Sequence, residues 1–320
     1  TVALGIPELR EKIADLYWHW YQVKVDPQRI IVTPGSSGAF ILAFTGLFDV
    51  GDSVGIGSPG YPSYRQILKA LSLNTVTIKA LSDNKFQPVP TDVINNKLDG
   101  LLVASPANPT GSMLNRDELE KLMAACKKKE TAFISDEIYH GIEYETRAVS
   151  ALEVSDDCFV INSFSKYFSM TGWRLGWIVV PNKHIRQFER LAQNMFICAP
   201  HISQIAALGA LDAHHELNQN VQTYKTNRAM LAEQLPNLGL AKFAPPDGAF
   251  YFYVDVSDYT DNSVNFANEI LEEVNVAVTP GIDFDPDRGL KTIRLSYACS
   301  TPDLKEGLKR LNNFMSKYRL

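Results

Sequence analysis

Apolar and polar positions along the chain follow two periods, and the period changes mark the elements. Pro7–Tyr21 has apolar residues at helical spacing, with a proline in its first turn, and predicts a helix. Ile30–Thr33 is a short apolar run that ends in Pro34-Gly35-Ser36-Ser37-Gly38, and a helical pattern follows through Phe48. Ser53–Ile56, Asn74–Ile78, Gly100–Ala104, Ala132–Ser135, Phe159–Asn162 and Gly176–Val180 are further short apolar runs, several separated by helical stretches such as Arg116–Lys129. That alternation predicts a large α/β domain with a mainly parallel sheet flanked by helices.

From about Ser203 the pattern is helical through His214, Arg228 and Leu235. It then gives way to an aromatic strand over Gly248–Val254, a helix over Val264–Val274, a strand over Thr292–Ser296 and a closing helix over Pro302–Lys317. These predict a smaller C-terminal α+β domain. The expected division is residues 1–225 and 226–320, with a substrate cleft between the two.

Composition narrows the field only slightly. The chain has 320 residues, 45% apolar and 21% charged, ordinary for a globular protein large enough for two domains. A net charge of −5 argues against nucleic acid as the main partner. No apolar run reaches membrane-spanning length, and no signal peptide is present, so no membrane partner is expected and the expected location is the cytoplasm. The four cysteines are scattered and form no CxxC pair, as for buried thiols in a reducing compartment. No metal spacing appears among the six histidines. The chain opens at Thr1 on a turn feeding an amphipathic helix, the texture of a chain interior, so a further N-terminal segment is expected ahead of it.

Four segments carry candidate chemistry. In Asn162-Ser163-Phe164-Ser165-Lys166 a strand ends in hydroxyls and a lysine, and Arg174 follows eight residues later in a loop rich in Gly and Trp. A lysine at a strand end, partly desolvated and near another cation, has a lowered pKa and attacks aldehydes well. The serines and Arg174 suit a phosphate dianion. In Ser135-Asp136-Glu137-Ile138-Tyr139 a carboxylate directly after a buried strand demands a partner, and a pyridinium nitrogen is one. Tyr139 can donate to a second cofactor atom. Ser105-Pro106-Ala107-Asn108-Pro109-Thr110-Gly111 is a sharp loop that aims an amide at the same region. Gly35-Ser36-Ser37-Gly38 brings backbone amides to a helix N-terminus, a site for an anion. Taken singly, each has a bland structural explanation: a surface lysine, a turn-capping aspartate, a turn rich in Pro and Gly. Gly55–Gly60 fits GxGxxG formally, but Pro59 and Pro62 interrupt it and no helix opens inside it.

Together the segments resemble the class I/II aminotransferases of fold type I. The motifs GSSGA, SPGYPSY, ANPTG, SDEIY, SFSK, GWRLGW and Ile293-Arg294-Leu295-Ser296 come in that family's order over essentially the whole chain. The resemblance implies pyridoxal 5′-phosphate as cofactor, with Lys166 bonded to it. It implies Asp136 on the pyridinium nitrogen, and Tyr139 and Asn108 on the phenolic oxygen. It places Ser36, Ser37, Ser163 and Arg174, together with the adjoining Ser165, around the phosphate. Tyr61 would cover the ring, and Arg294, with Asn108 beside it, would take the substrate α-carboxylate. It further implies a homodimer with the active site near the subunit interface, and cis bonds at Ser58–Pro59 and Asn108–Pro109.

Two departures bear on substrate and activity. The family's N-terminal arm, and the tyrosine that reaches the partner's phosphate, do not lie in this chain. Related dicarboxylate enzymes resemble GGKQA in the first phosphate loop, where this chain has Ser37 in place of the lysine. A neutral or aromatic amino donor is therefore expected over aspartate, with a 2-keto acid as acceptor. Gly248–Tyr251 and Tyr61–Tyr64 suggest an aromatic-lined pocket. The alternatives are a carbon–sulfur β-lyase on the same cofactor and a cofactor-sensing regulator domain.

Overall fold

The structure, a computed structural model, describes residues 2–318. Short, mostly buried runs form the strands of a central sheet, with the edge strand Asn74–Lys79 largely exposed or half-buried. These are β1 (Ile30–Thr33), β2 (Ser53–Ser58), β3 (Asn74–Lys79), β4 (Gly100–Ala104), β5 (Ala132–Asp136), β6 (Phe159–Ser163) and β7 (Gly176–Val179). Their order is β1-β7-β6-β5-β4-β2-β3. Only β7 runs against the rest, pairing antiparallel with both β1 and β6. All other pairs are parallel. A parallel sheet needs cover on both faces, and two hydrophobic clusters supply it. One contains α1 (Pro7–Tyr21) and α5 (Arg116–Lys128). The other contains α2 (Gly35–Leu47), α3 (Pro62–Ala70) and α6 (Ile185–Phe196).

Local chemistry starts these helices where they start. Pro7 and Pro62 stand at first helical positions, where a missing N–H costs nothing. Asn115 and Glu118 form a reciprocal capping box at the head of α5. Three helices were not read from the sequence: α3, α6 and α4 (Pro90–Asn95).

The helical stretch expected from about Ser203 is two helices, α7 (His201–Asp212) and α8 (His214–Asn237), broken at Ala213. Along α8, Leu217 belongs to the core of the large sheet, whereas Leu231 and Leu235 belong to a third, separate core. No residue between Asn218 and Thr226 is buried. The third core lies on an antiparallel sheet, order β8-β10-β9, of β8 (Tyr251–Asp255), β9 (Thr279–Pro280) and β10 (Thr292–Ser296), covered by α9 (Ser263–Val274) and α10 (Thr301–Met315).

The strand expected to begin at Gly248 begins at Tyr251 instead. Ala249 takes a left-handed φ of 57°, and its N–H is bonded to Ile142 O at 2.9 Å in the large domain, so Gly248–Phe250 form a turn. The peptide bonds before Pro59 and Pro109 are cis, as the resemblance implies, and so is the bond before Pro106. Among the described residues no helix is long and apolar enough to cross a membrane.

Candidate active site

The carboxyl ends of β4, β5 and β6 deliver the large domain's groups, as ligand sites in open α/β sheets require. Asp136 is the last residue of β5 and is buried. Its Oδ1 accepts from Ile138 N at 3.1 Å, and its Oδ2 accepts a short hydrogen bond from the Tyr64 hydroxyl. Burial pushes this carboxyl up to about 6, although the Tyr64 and Ile138 bonds and the charge of Lys166 pull it down.

Lys166 lies just beyond β6. Its ammonium makes no hydrogen bond among the described residues and sits 5.6 Å from the centre of the Tyr139 ring and 5.7 Å from that of Phe250. Burial lowers its pKa, and repulsion from Arg294 and Arg174 adds to this, against the opposing pull of Asp136. That is the state wanted in a lysine that must attack a carbonyl carbon at neutral pH.

The Tyr139 hydroxyl shares a hydrogen bond of 2.9 Å with the hydroxyl of Tyr251. Asn108, in the loop after β4, accepts through Oδ1 from Arg294 Nη1 at 2.8 Å. The Arg294 guanidinium lies between two rings, 4.2 Å from the centre of Tyr251 and 4.7 Å from that of Phe284. Its Nη2 donates weakly to Thr279 Oγ1 at 3.4 Å. Its buried Nε has no partner, the one such side-chain atom among the described residues. A planar cation packed against aromatic rings, with an unpaired N–H, is set to grip a carboxylate by two bonds.

Ser36, Ser37, Arg174 and the end of β6 at Ser163 meet at the N-terminus of α2, where free backbone N–H groups favour an anion. Gly35 has φ 71°, and a Cβ there would stand 2.6 Å from Arg174 Nη2, so the guanidinium lies directly on this turn. Gly176, at the start of β7, is similarly tight: a Cβ would come within 2.8 Å of Ser36 N. Arg174 Nη1 donates to Thr171 O at 2.8 Å. Ser163 Oγ accepts from Ser165 N at 3.1 Å. Ser36 and Ser37, in the first turn of α2, are half-buried and exposed respectively. Tyr61 is 39% exposed, packs edge-on to Tyr64 at 5.4 Å, and lines one crevice with Asn108.

Sequence reasoning did not find the hydroxyl of Tyr64 on Asp136, or Tyr251 beneath Arg294. Both tyrosines stand in segments suggestive of an aromatic pocket. Their hydroxyls meet Asp136 and the hydroxyl of Tyr139, 72 and 112 residues away in the chain, and leave no local pattern.

The family profile for aminotransferase class I and II matches residues 3–311. The chain belongs to the class I and II aminotransferases. A valine–pyruvate aminotransferase from Mycobacterium tuberculosis is 44% identical over 98% of this chain and 83% of its own length. A crystal structure of an aminotransferase from the same organism superposes with a TM-score of 0.97 at 43% identity, over 99% of this chain and 84% of that one. The aspartate aminotransferase of Thermotoga maritima superposes at 0.91 with 34% identity, over 99% and 84%. This chain is a pyridoxal-phosphate-dependent aminotransferase of fold type I. The residues present fit that cofactor. They offer a lysine ammonium with no bond, a buried carboxylate with few donors, and an arginine seated at a helix N-terminus.

Proposed function

We propose that this aminotransferase accepts neutral amino acids, aliphatic or aromatic, in preference to aspartate, and passes the amino group to a 2-keto acid. The observation that carries this is the supply of positive charge. The cations that perturb Lys166 most are Arg294 and Arg174. The first is committed to the substrate α-carboxylate and the second to the cofactor phosphate. Ser37 is uncharged, where dicarboxylate enzymes resembling this one carry lysine. A second carboxylate carried into the site would lack a cation, and an unpaired buried charge is expensive. The 44% identity to a protein named as acting on valine and pyruvate agrees with this reading.

Pyridoxal phosphate, when bound, supplies the electron sink for the charge released at the substrate Cα. The protein's own groups do the rest. Asp136 would hold the ring nitrogen and its proton. Tyr139 and Asn108 would donate to the phenolic oxygen, and Tyr61 would cover the ring. Ser36, Ser37, Ser163, Ser165 and Arg174 would hold the phosphate. Arg294 fixes the α-carboxylate, which aims Cα at Lys166, and Lys166 Nζ moves the proton at that carbon.

A homodimer fits this arrangement. Trp173, next to Arg174, together with Ile197, Ile202 and Ile205, forms an exposed apolar ridge, the first two isoleucines being 71% and 70% exposed. Ser203 Oγ donates to Trp173 O at 2.9 Å, which ties the ridge to the phosphate loop.

The test is a donor panel of valine, alanine, phenylalanine, tyrosine and aspartate with pyruvate and 2-oxoglutarate as acceptors. Neutral donors should exceed aspartate by about tenfold or more in kcat/KM, the equivalent of about 1.4 kcal/mol. A preference for aspartate would overturn the selectivity and leave the transamination intact.

A further inference from the structure

Tyr251 opens β8, and two site groups from different parts of the molecule rest on it. In the register of the small sheet Arg294 stands opposite Tyr253 and Ser296 opposite Tyr251. Tyr251 and Arg294 are therefore diagonal neighbours on one face. The ring of Tyr251 lies 4.2 Å from the Arg294 guanidinium. Its hydroxyl meets that of Tyr139, from the large domain, at 2.9 Å. Both tyrosines are buried.

The backbone that leads into Tyr251 is also held. Gly248 N donates to Gly111 O at 2.8 Å and Ala249 N to Ile142 O at 2.9 Å. The carbonyl of Ala249 accepts from the hydroxyls of Tyr144, at 2.5 Å, and Tyr297, at 3.3 Å. Tyr251 thus enters the small sheet already stitched to the large domain.

Each phenol has one proton. If Tyr139 donates its proton into the cleft, the bond between the two hydroxyls requires Tyr251 to donate to Tyr139. A hydroxyl that receives a hydrogen bond donates a stronger one.

We propose that Tyr251 is a positioning residue that joins the substrate-carboxylate clamp to the cofactor-facing hydroxyl: its ring carries Arg294, and its hydroxyl orients and strengthens the donation of Tyr139. This rests on the reading of Tyr139 given above, that it donates to the cofactor's phenolic oxygen. The two functions are separable by substitution. Tyr251→Phe keeps the platform and loses the donor. Tyr251→Leu loses both.

The experiment titrates the visible absorbance of the cofactor-loaded enzyme against pH for wild type, Tyr139→Phe, Tyr251→Phe and the double variant. It also measures binding of 3-methylbutanoate, a carboxylate with no amino group to react, by the same absorbance. A weaker donor leaves the phenolic oxygen more basic, and a proton shared between that oxygen and the Lys166 nitrogen is held more tightly. The midpoint should therefore rise in Tyr251→Phe, by on the order of half a pH unit, in the same direction as in Tyr139→Phe. The double variant should match Tyr139→Phe alone, because the second hydroxyl acts only through the first. Carboxylate affinity should stay within about twofold in Tyr251→Phe and fall about fivefold in Tyr251→Leu, the scale of one cation–π contact.

An unshifted midpoint in Tyr251→Phe beside a shifted one in Tyr139→Phe overturns this inference alone, as does an additive double variant. An unshifted Tyr139→Phe removes the placement of Tyr139 and the inference with it. Wild-type carboxylate affinity in Tyr251→Leu refutes the platform. Should the leucine variant fail to fold, the phenylalanine series still decides the hydroxyl.

Discussion

Replacing Arg294 with lysine tests the geometry of the carboxylate clamp more sharply than deleting it. The charge stays and the planar fork goes. In the protein the guanidinium is held mainly by Nη1 to Asn108 Oδ1 at 2.8 Å and by the rings of Tyr251 and Phe284, whose centres lie 4.2 and 4.7 Å from its carbon. A lysine ammonium is a point charge and cannot serve Asn108 and both carboxylate oxygens from one position. Loss of one charge-assisted hydrogen bond costs about 2 kcal/mol. The stacking that aims the group adds about 1 kcal/mol. Some 3 kcal/mol corresponds to roughly a hundred-fold or more in kcat/KM. The loss should be similar for every donor, since all share the α-carboxylate. The assay is the first half-reaction followed by the absorbance change of the bound cofactor, with valine, phenylalanine and aspartate as donors. A fall of less than about threefold for all three would refute the assignment. A fall confined to aspartate would mean that Arg294 reads the side chain.

Lys166→Ala should abolish turnover together with the lysine-bonded absorbance of the cofactor, and persistent turnover would remove Lys166 from its role. Gly35→Ala puts a methyl 2.6 Å from Arg174 Nη2 at φ 71°. Cofactor affinity measured on the reconstituted protein should fall, while far-ultraviolet circular dichroism stays native; unchanged affinity would show that this turn does not hold the phosphate. Burial pushes Glu137 up from 4.5 to about 8 despite bonds from Ala151, Ser150 and Ser135. The folded state therefore holds a proton the unfolded state releases, and the stability it contributes is full below about pH 4.5 and lost as pH rises through about 8. Glu137→Gln should flatten the fall in melting temperature of the cofactor-free protein across that window; an unaltered slope would discount the group. Sedimentation should give a dimer, and Ile202→Asp should shift it toward monomer, since a charge on the apolar ridge would have to be buried on association; an active wild-type monomer at micromolar concentration contradicts the assembly.

Much of the large domain was legible because its strands are short, apolar and punctuated. Ile30–Thr33 and Gly100–Ala104 fall where the pattern puts them, and so does Thr292–Ser296 in the small sheet. α6 was missed although it is amphipathic: Phe188 and Ala192 are buried while Arg186 and Arg190 are exposed, and only a short connection separates it from β7. β9 is two residues long, below any periodic signal. The start of β8 was misplaced because the aromatic run GAFYFYV looks uniform, while a tertiary bond at Ala249 N turns its first half away from the sheet. The candidate site was legible to the extent that its groups sit in short motifs at strand ends. Tyr64 and Tyr251 act through hydroxyls on residues far away in the chain, and only the packing of the elements brings those atoms together.

The helix α8 passes through both cores, anchored by Leu217 in one and by Leu231 and Leu235 in the other, with no buried residue from Asn218 to Thr226. Its outward-facing positions, such as Gln219, Asn220, Gln222 and Lys225, are exposed and open to a change of side chain. To a change of length the stretch is closed. One inserted residue would turn the small sheet by about 100° and move it about 1.5 Å along the helix axis, which would carry Arg294 away from Asn108. The helix is thus a gauge that sets the phase of one half of the site against the other. In descendants of this chain, insertions should collect in the loops around it while the number of residues from Leu217 to Leu231 stays fixed.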